Sequence, residues 1–586
     1  MAYRLDIKEK KKGTYLVIEI KYWDKERKKS VTEHHSTLGY VSDLLKDHAD
    51  PVAHFREQVR RMNEEQKEQS KISLVIDMDE ELPPDSHARY NLGYSAILKV
   101  YHGLELGRFL NNKARHEAFE YNTDSIMKLL VITSVLHPAS KRASYERRKM
   151  FFERFDFELH DVYRALGHFS NISVQCQQFL SERVSERYGR DTSIVYFDVT
   201  NMHFEIDKPD ELRRYGKEKN NRPDPIVQFA LAMDADGLPL CYRQFPGNTH
   251  DSKTFIPVFT EVCVRFAPGR VIAVADMGCT SSDNIAFLKG GTGDSRVNGY
   301  VFSYSIRKSS AAFKRYVLEE EGYTDIDGNP LEEGFGFKIK SRIDVREIKI
   351  SMTDGSKKTV RIDEKQVIHW NKKYADKART EREELIKRAR DIVDDPNGHT
   401  KDSARGASVY VKNIAYDKKT GEVIEKPGKA LFFDEKKAAE DALYDGYYCL
   451  ISSELDIPQQ RIVEIYRGLH EIEDSFKVAK SDLNIRPLFV SLEDHINAHM
   501  LMCFISLLVL RIIQLETKYR FTIKQIVEAL NRVACSLEHE NIYLFDSRSE
   551  VSDAIGEALG IDFSKRRLPL NKIKNILANV KKPELR

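Results

Sequence analysis

At Ser193 the spacing of apolar residues changes from helical to strand-like, and this switch constrains the fold more than any other feature of the chain. Five short apolar, β-branched runs follow: SIVYFDVT, IVQFALAMD, LPLCYRQFPG, RVIAVAD and GYVFSYS. The helix-like segments SKTFIPVFTEVCVRF and SSDNIAFLKG flank the fourth. Three adjacent strands followed by alternating helices and strands predict an α/β core. Two runs end in aspartates, Asp198 and Asp276. An unpaired carboxylate is costly to bury at a strand end, so both are candidate functional groups; for either alone, a turn or N-cap aspartate is the plainer alternative. In a sheet of this order the first and fourth strands are neighbours, which brings the two aspartates together.

A second constraint lies at residues 462–480, IVEIYRGLHEIEDSFKVAK, which read as one helix. Tyr466, Glu473 and Lys480 recur every seven residues and so rise from one face. A purely structural heptad stripe would be apolar there, whereas Ile462, Ile465, Ile472 and Phe476 already supply an apolar face beside it. The alternative is a solvated, salt-bridged face. Joined to the two aspartates, Glu473 makes an all-oxygen set suited to two magnesium ions ~3.5–4 Å apart, which is the equipment of metal-assisted phosphoryl transfer. Lys480 and Tyr466 would contact phosphates beside the cleaved bond.

Asp198 followed by Val-Thr, Asp276 within Ala-Asp-Met-Gly, PGNTHDSKT between them, and the late YRGLHEIEDSFKVAKSDLNIRPLFV resemble the DDE transposases of bacterial insertion sequences. Within these the chain is similar to the IS-four-like superfamily, which carries Tyr, Arg, Glu and Lys on one helix after a large insertion. At the position of that arginine this chain has Leu469, with Arg467 nearby. The resemblance implies an RNase H-like core interrupted by a β-rich insertion, with Asp198, Asp276 and Glu473 as catalytic metal ligands. It also implies magnesium as cofactor, with manganese able to substitute. The substrates would be double-stranded DNA, both element terminal repeats and target, bound by a homodimer on paired ends. Water would first cut the element end, and the freed 3′-hydroxyl would then attack target DNA. The competing readings are an RNase H-like nuclease without strand transfer and a domesticated DNA-binding protein; the presence of all three carboxylates argues against the second.

The flanks divide the chain into a small β module at 1–48, seen in TYLVIEIKYW, and a helical DNA-binding region at 49–190. The first part of the core follows at 191–305, a β-rich insertion with a charged helix at 306–446, the second part at 447–516 and a C-terminal helical region at 517–586. A net charge of +2 means that any DNA-binding surface must be local. Lys141, Arg142, Arg147, Arg148 and Lys149, beside Ser140 and Ser144, suit phosphate contact; a solvated charged helix is the alternative. Trp370 would either stack on an unpaired base or pack internally. Seven cysteines without CxxC or CxxH spacing argue against zinc and disulfides, and fit a reducing cytoplasm, nucleoid-associated for a bacterial protein. MAYRLDIKEKKK lacks the apolar centre of a signal peptide. The run MLMCFISLLVLRII is too short for a membrane span and is interrupted by Arg511. His499, just before that run, reads as a satisfied polar residue.

Overall fold

The computed structural model describes residues 2–24, 29–68, 79, 81, 84, 89–203, 209–216, 225–267, 269–290, 297–351, 356–401, 403–416, 422–425, 430–481 and 490–582. Two compact units divide the chain, Met1–Ser86 and His87–Arg586. In the first, Ala2–Lys10, Gly13–Asp24 and Lys29–Tyr40 form an antiparallel three-stranded sheet. The helix Pro51–Glu68, grouped by its sequence with the helical region, belongs to this unit. Tyr3 N donates to Asn63 Oδ1 (2.8 Å) and Asn63 Nδ2 to Tyr3 O (3.0 Å), fixing the helix to the first strand.

The second unit is built on a mixed sheet of β1 (Ile194–His203), β2 (Ile226–Met233), β3 (Pro239–Pro246), β4 (Ile272–Ala275), β5 (Gly299–Tyr304), β6 (Phe337–Ser351), β7 (Lys357–Asn371) and β8 (Tyr447–Ser452). Its spatial order is β6-β7-β8-β5-β4-β1-β2-β3. β1, β2 and β3 are antiparallel neighbours, and β4 and β5 continue from β1 in parallel. This arrangement fits the RNase H-like α/β core expected from the sequence. Alternation along β1 assigns its residues to two apolar layers. Val195, Phe197 and Val199 join Ala273, Ala275 and Phe302 beneath helix α1 (Asp251–Glu261). Tyr196, Val274 and Val301 face the opposite layer, which contains α2 (Gln459–Arg467), α3 (His470–Ser481) and α4 (Glu493–Glu516). The helices Tyr94–Gly103, Thr123–Leu136, Leu159–Asn171 and Ser173–Tyr188 pack into that layer too. α4 is long and apolar enough to cross a membrane, but 89% of its most apolar stretch is buried within the protein.

Two elements differ from expectation. FKIKSRI and REIKISM, placed in the insertion, are one strand, β6, and the β6–β7 hairpin extends the main sheet through pairing of β7 with β8. A separate small core of Ala389, Ile392, Ala404, Tyr410, Val423 and Leu431 forms around the charged helix Lys372–Asp394. The run TIKQIVEALNRVACSLE is not one helix. The helix Ile523–Arg532 stops where Asn91 Nδ2 takes the carbonyls of Leu530 (3.0 Å) and Asn531 (3.1 Å). Ala534–His539 then pairs with Arg89–Asn91 in a four-stranded sheet, so the C-terminal region is mixed rather than helical.

Candidate active site

Parallel strands in register set equivalent residues side by side. Phe197 of β1 lies beside Ala275 of β4, and Ala275 beside Phe302 of β5. The residues that follow are Asp198, Asp276 and Ser303. With neighbouring strands ~4.8 Å apart and side chains alternating, all three rise from the face of the sheet that carries the α2–α4 layer. Ser303 Oγ donates to Asp276 Oδ1 at 2.7 Å, and Met277 N donates to the same oxygen at 2.7 Å. Val199 N donates to Asp198 Oδ1 at 2.7 Å. One carboxylate is therefore held by a neighbouring strand and the other by its own backbone.

Glu473 lies on a helix that is not the continuous one the sequence suggests. Residues 462–480 are not continuous: α2 ends at Arg467 and α3 begins at His470. At the break, Leu469 N reaches Tyr466 O (3.0 Å) and Glu471 N reaches Gly468 O (3.0 Å), a tighter winding than an α-helix. A Cβ at position 468 would overlap Tyr196 Oη of β1, so only glycine allows the chain this close to the sheet. The kink brings the Tyr466 hydroxyl to 3.5 Å from Asp276 Oδ1. Burial holds the Tyr466 phenol protonated well above its ordinary range; a hydrogen bond with Ser303 opposes this, and the charges of Asp276 and Glu473 reinforce it. The charge of Glu473 is thus felt at the Tyr466 hydroxyl, while the Glu473 side chain is itself exposed. Glu473 and Lys480 remain on one border of α3, and Lys480 Nζ lies 5.8 Å from the Phe476 ring centroid. Residues 482–489 of the late motif lie outside the described residues.

Asp251, at the start of α1 within PGNTHDSKT, was not singled out by sequence reasoning as a site residue. It accepts from Gln228 Nε2 at 3.2 Å. Burial pushes the Cys279 thiol far up, and the charges of Asp198, Asp251 and Asp276 push it further. Ser303 was missed as well, because only strand register reveals it. Among the described residues no three His, Cys, Asp or Glu side chains converge as a ready metal cage. The groups along this edge are nevertheless carboxylates and hydroxyls, with the nearest thiol held protonated. That donor chemistry fits a hard divalent ion such as magnesium or manganese and does not fit zinc.

The early basic cluster requires correction. Lys141 is not a surface group: it is 4% exposed, donates to His499 Nδ1 (2.9 Å) and lies 3.3 Å from Met502 Sδ. Packing of the short helix Lys141–Glu146 against α4 buries it, which leaves no path to phosphate. His499 is the satisfied polar residue expected. Ser140 caps the short helix and Ser144 is buried. Arg147 Nη1 donates to His137 O (2.6 Å), Arg148 stacks 3.7 Å from the Tyr145 ring centroid, and Arg142 is exposed beside Glu146. Trp370 is packed rather than presented for stacking: its indole N–H donates to Asp445 O (3.0 Å) and its ring meets Phe335 edge-on. The charge of Arg467 reaches His369 of β7, which burial, helped by that charge, lowers to about 4. Arg467 itself is exposed at the end of α2.

The family model for the transposase DDE domain matches residues 189–509, more than half of the chain. Similar solved structures include the piggyBac transposase synaptic complex with hairpin DNA, at 8% identity and a TM-score of 0.35, covering 83% of this chain and 84% of that one. The Mos1 transposase paired-end complex with left transposon end is similar at 14% identity and a TM-score of 0.14, covering 47% and 73%. No curated protein matches. The matched span begins just before β1, ends within α4 and contains Asp198 within β1, Asp276 just after β4 and the helix pair α2–α3, and the chain belongs to the transposase DDE-domain family.

Proposed function

We propose that Asp198, Asp276 and Glu473 are the metal-holding acids of this transposase and that they take two divalent ions, magnesium by preference with manganese as a substitute. The protein is an enzyme of DNA transposition, cutting element ends and joining them to target DNA by metal-dependent phosphoryl transfer. The observation that carries the residue assignment is the register of β1 and β4, which sets Asp198 beside Asp276 under the helix that bears Glu473. Bound ions would activate the attacking oxygen and stabilise the leaving one. Ser303 Oγ and Met277 N orient Asp276, and the protonated Tyr466 hydroxyl lies against the same oxygen. Lys480, on the same border of α3 as Glu473, offers a point charge to a DNA phosphate.

The seven-residue spacing of Tyr466, Glu473 and Lys480 supports membership of the IS-four-like superfamily, with Leu469 as its departure. Two equivalent ends call for two equivalent subunits, which supports a homodimer on paired ends. All seven cysteines are free and buried, in keeping with work on nucleoid DNA in a reducing cytoplasm. The test is incubation of purified protein with element ends that still carry flanking DNA, target DNA and magnesium or manganese, with light scattering of the complex. Joined products from a complex of two chains and two ends are expected. End cutting without any joining, or full activity from one chain on one end, would overturn the reading.

A further inference from the structure

Arg511 is the largest fully buried side chain among the described residues, and it interrupts the apolar run of α4. Its guanidinium is directed at the first turn of α3. Nη1 donates to Glu471 Oε2 (2.9 Å), and Nη2 donates to Glu471 O (2.8 Å), Asp474 Oδ2 (3.2 Å) and Ser475 Oγ (2.7 Å). Nε donates to the same Ser475 Oγ (3.1 Å), and Gln514 Oε1 steadies Nη1 from within α4 (2.9 Å). A helix turns ~100° per residue, so residues 471, 474 and 475 lie along one border of the buried stripe formed by Ile472, Phe476 and Ala479. Glu473 and Lys480 lie along the other border. Glu471 also sits over the β2–β3 turn, where a Cβ on Gly237 (φ +74°) would meet Glu471 Cβ at 3.5 Å.

We propose that Arg511 is a positioning residue for Glu473. Gripping the far border of α3 from a fixed point in α4, it sets the rotation and height of the helix, and hence where Glu473 stands relative to Asp198 and Asp276. The proposal rests on Glu473 being the third metal-holding acid. A lysine at 511 would keep the charge but not the planar fork that meets a carboxylate, a carbonyl and a hydroxyl together. The guanidinium is desolvated, so its acceptors are required and the geometry is stiff.

The test uses full-length Arg511→Lys, Ser475→Ala and Glu473→Gln. Manganese binding is followed by electron paramagnetic resonance, melting temperature by calorimetry, and cleavage of an end-bearing duplex as metal is varied. Arg511→Lys should bind manganese about 10-fold more weakly, as outer-shell changes do, and need correspondingly more metal for half-maximal cleavage, with unchanged affinity for end DNA. Ser475→Ala should shift both in the same direction by less. A fall in melting temperature with metal binding unmoved would overturn the proposal, since that is the signature of a merely structural role. If Arg511→Lys does not fold, Ser475→Ala decides by the same criterion. Native-like metal binding in the clamp variants beside an inactive Glu473→Gln overturns the clamp alone. Native-like cleavage by Glu473→Gln overturns both the clamp and the assignment beneath it.

Discussion

Replacing Lys141 by methionine tests whether the early basic cluster reaches DNA through this residue or holds it inside the fold. Lys141 is 4% exposed, and burial lowers its ammonium from 10.5 to about 8. The difference, 10.5 − 8, corresponds to about 3 kcal/mol at ~1.36 kcal/mol per pH unit. Between those two values the unfolded chain holds the proton and the folded chain does not, so native stability rises with pH across that window. Below about 8 both states hold the proton and the folded state carries the whole penalty. Methionine removes the penalty and fills similar space, but it leaves His499 Nδ1 without its donor, at about 1–3 kcal/mol. Near pH 7 Lys141→Met should therefore equal the native protein or exceed it by up to about 2 kcal/mol. The clearer signal is the slope: urea midpoints of the native protein should rise between pH 8 and 10.5 relative to those of the variant. End-DNA affinity and its salt dependence should not change, since a buried ammonium neutralises no phosphate. A variant that keeps the native pH slope, or that loses DNA affinity with a flatter salt slope, would refute the reasoning.

Ser303→Ala removes a donor to the charged Asp276 and should slow single-turnover cleavage about 10-fold without altering DNA binding; an unchanged rate would make that contact irrelevant. Gly468→Ala forces a methyl onto Tyr196 Oη and should destabilise by about 1–3 kcal/mol while impairing cleavage. Adding Tyr196→Phe should recover part of both losses, and a double variant no better than the single would place the strain elsewhere. Arg142→Glu combined with Arg148→Glu should weaken end binding and flatten the salt slope by about 2 in a binding titration, if both contact phosphate.

The central sheet was legible because its strands are short, apolar and each bounded by turn signals, and because parallel register makes Asp198 and Asp276 neighbours once the strand order is known. That Glu473 and Lys480 share one border of a helix was legible from their spacing. The break before them was not, because apolar periodicity runs straight through residues 462–480 and the close approach of Gly468 to Tyr196 is a tertiary contact. Lys141 misled for a related cause: a run of basic residues reads as solvated, and only the docking of its short helix on α4 shows that one member points inward. Arg511 was visible as a charge inside an apolar run, yet its acceptors on α3 are a tertiary matter. Ser303 carries no chemical signal of its own, and the strand at 534–539 follows a helix whose end is set by Asn91.

The central claim is that Asp198, Asp276 and Glu473 form one metal-holding site. Its most direct test is single-turnover cleavage of an end-bearing duplex in magnesium by Asp198→Asn, Asp276→Asn and Glu473→Gln, each saturated with DNA as judged by gel shift. Each variant should bind ends as the native protein does and cut them about a thousandfold more slowly, since losing a ligand forfeits several kcal/mol of transition-state stabilisation. Near-native cutting by any one of the three, while bound, would remove that residue from the site and contradict the account.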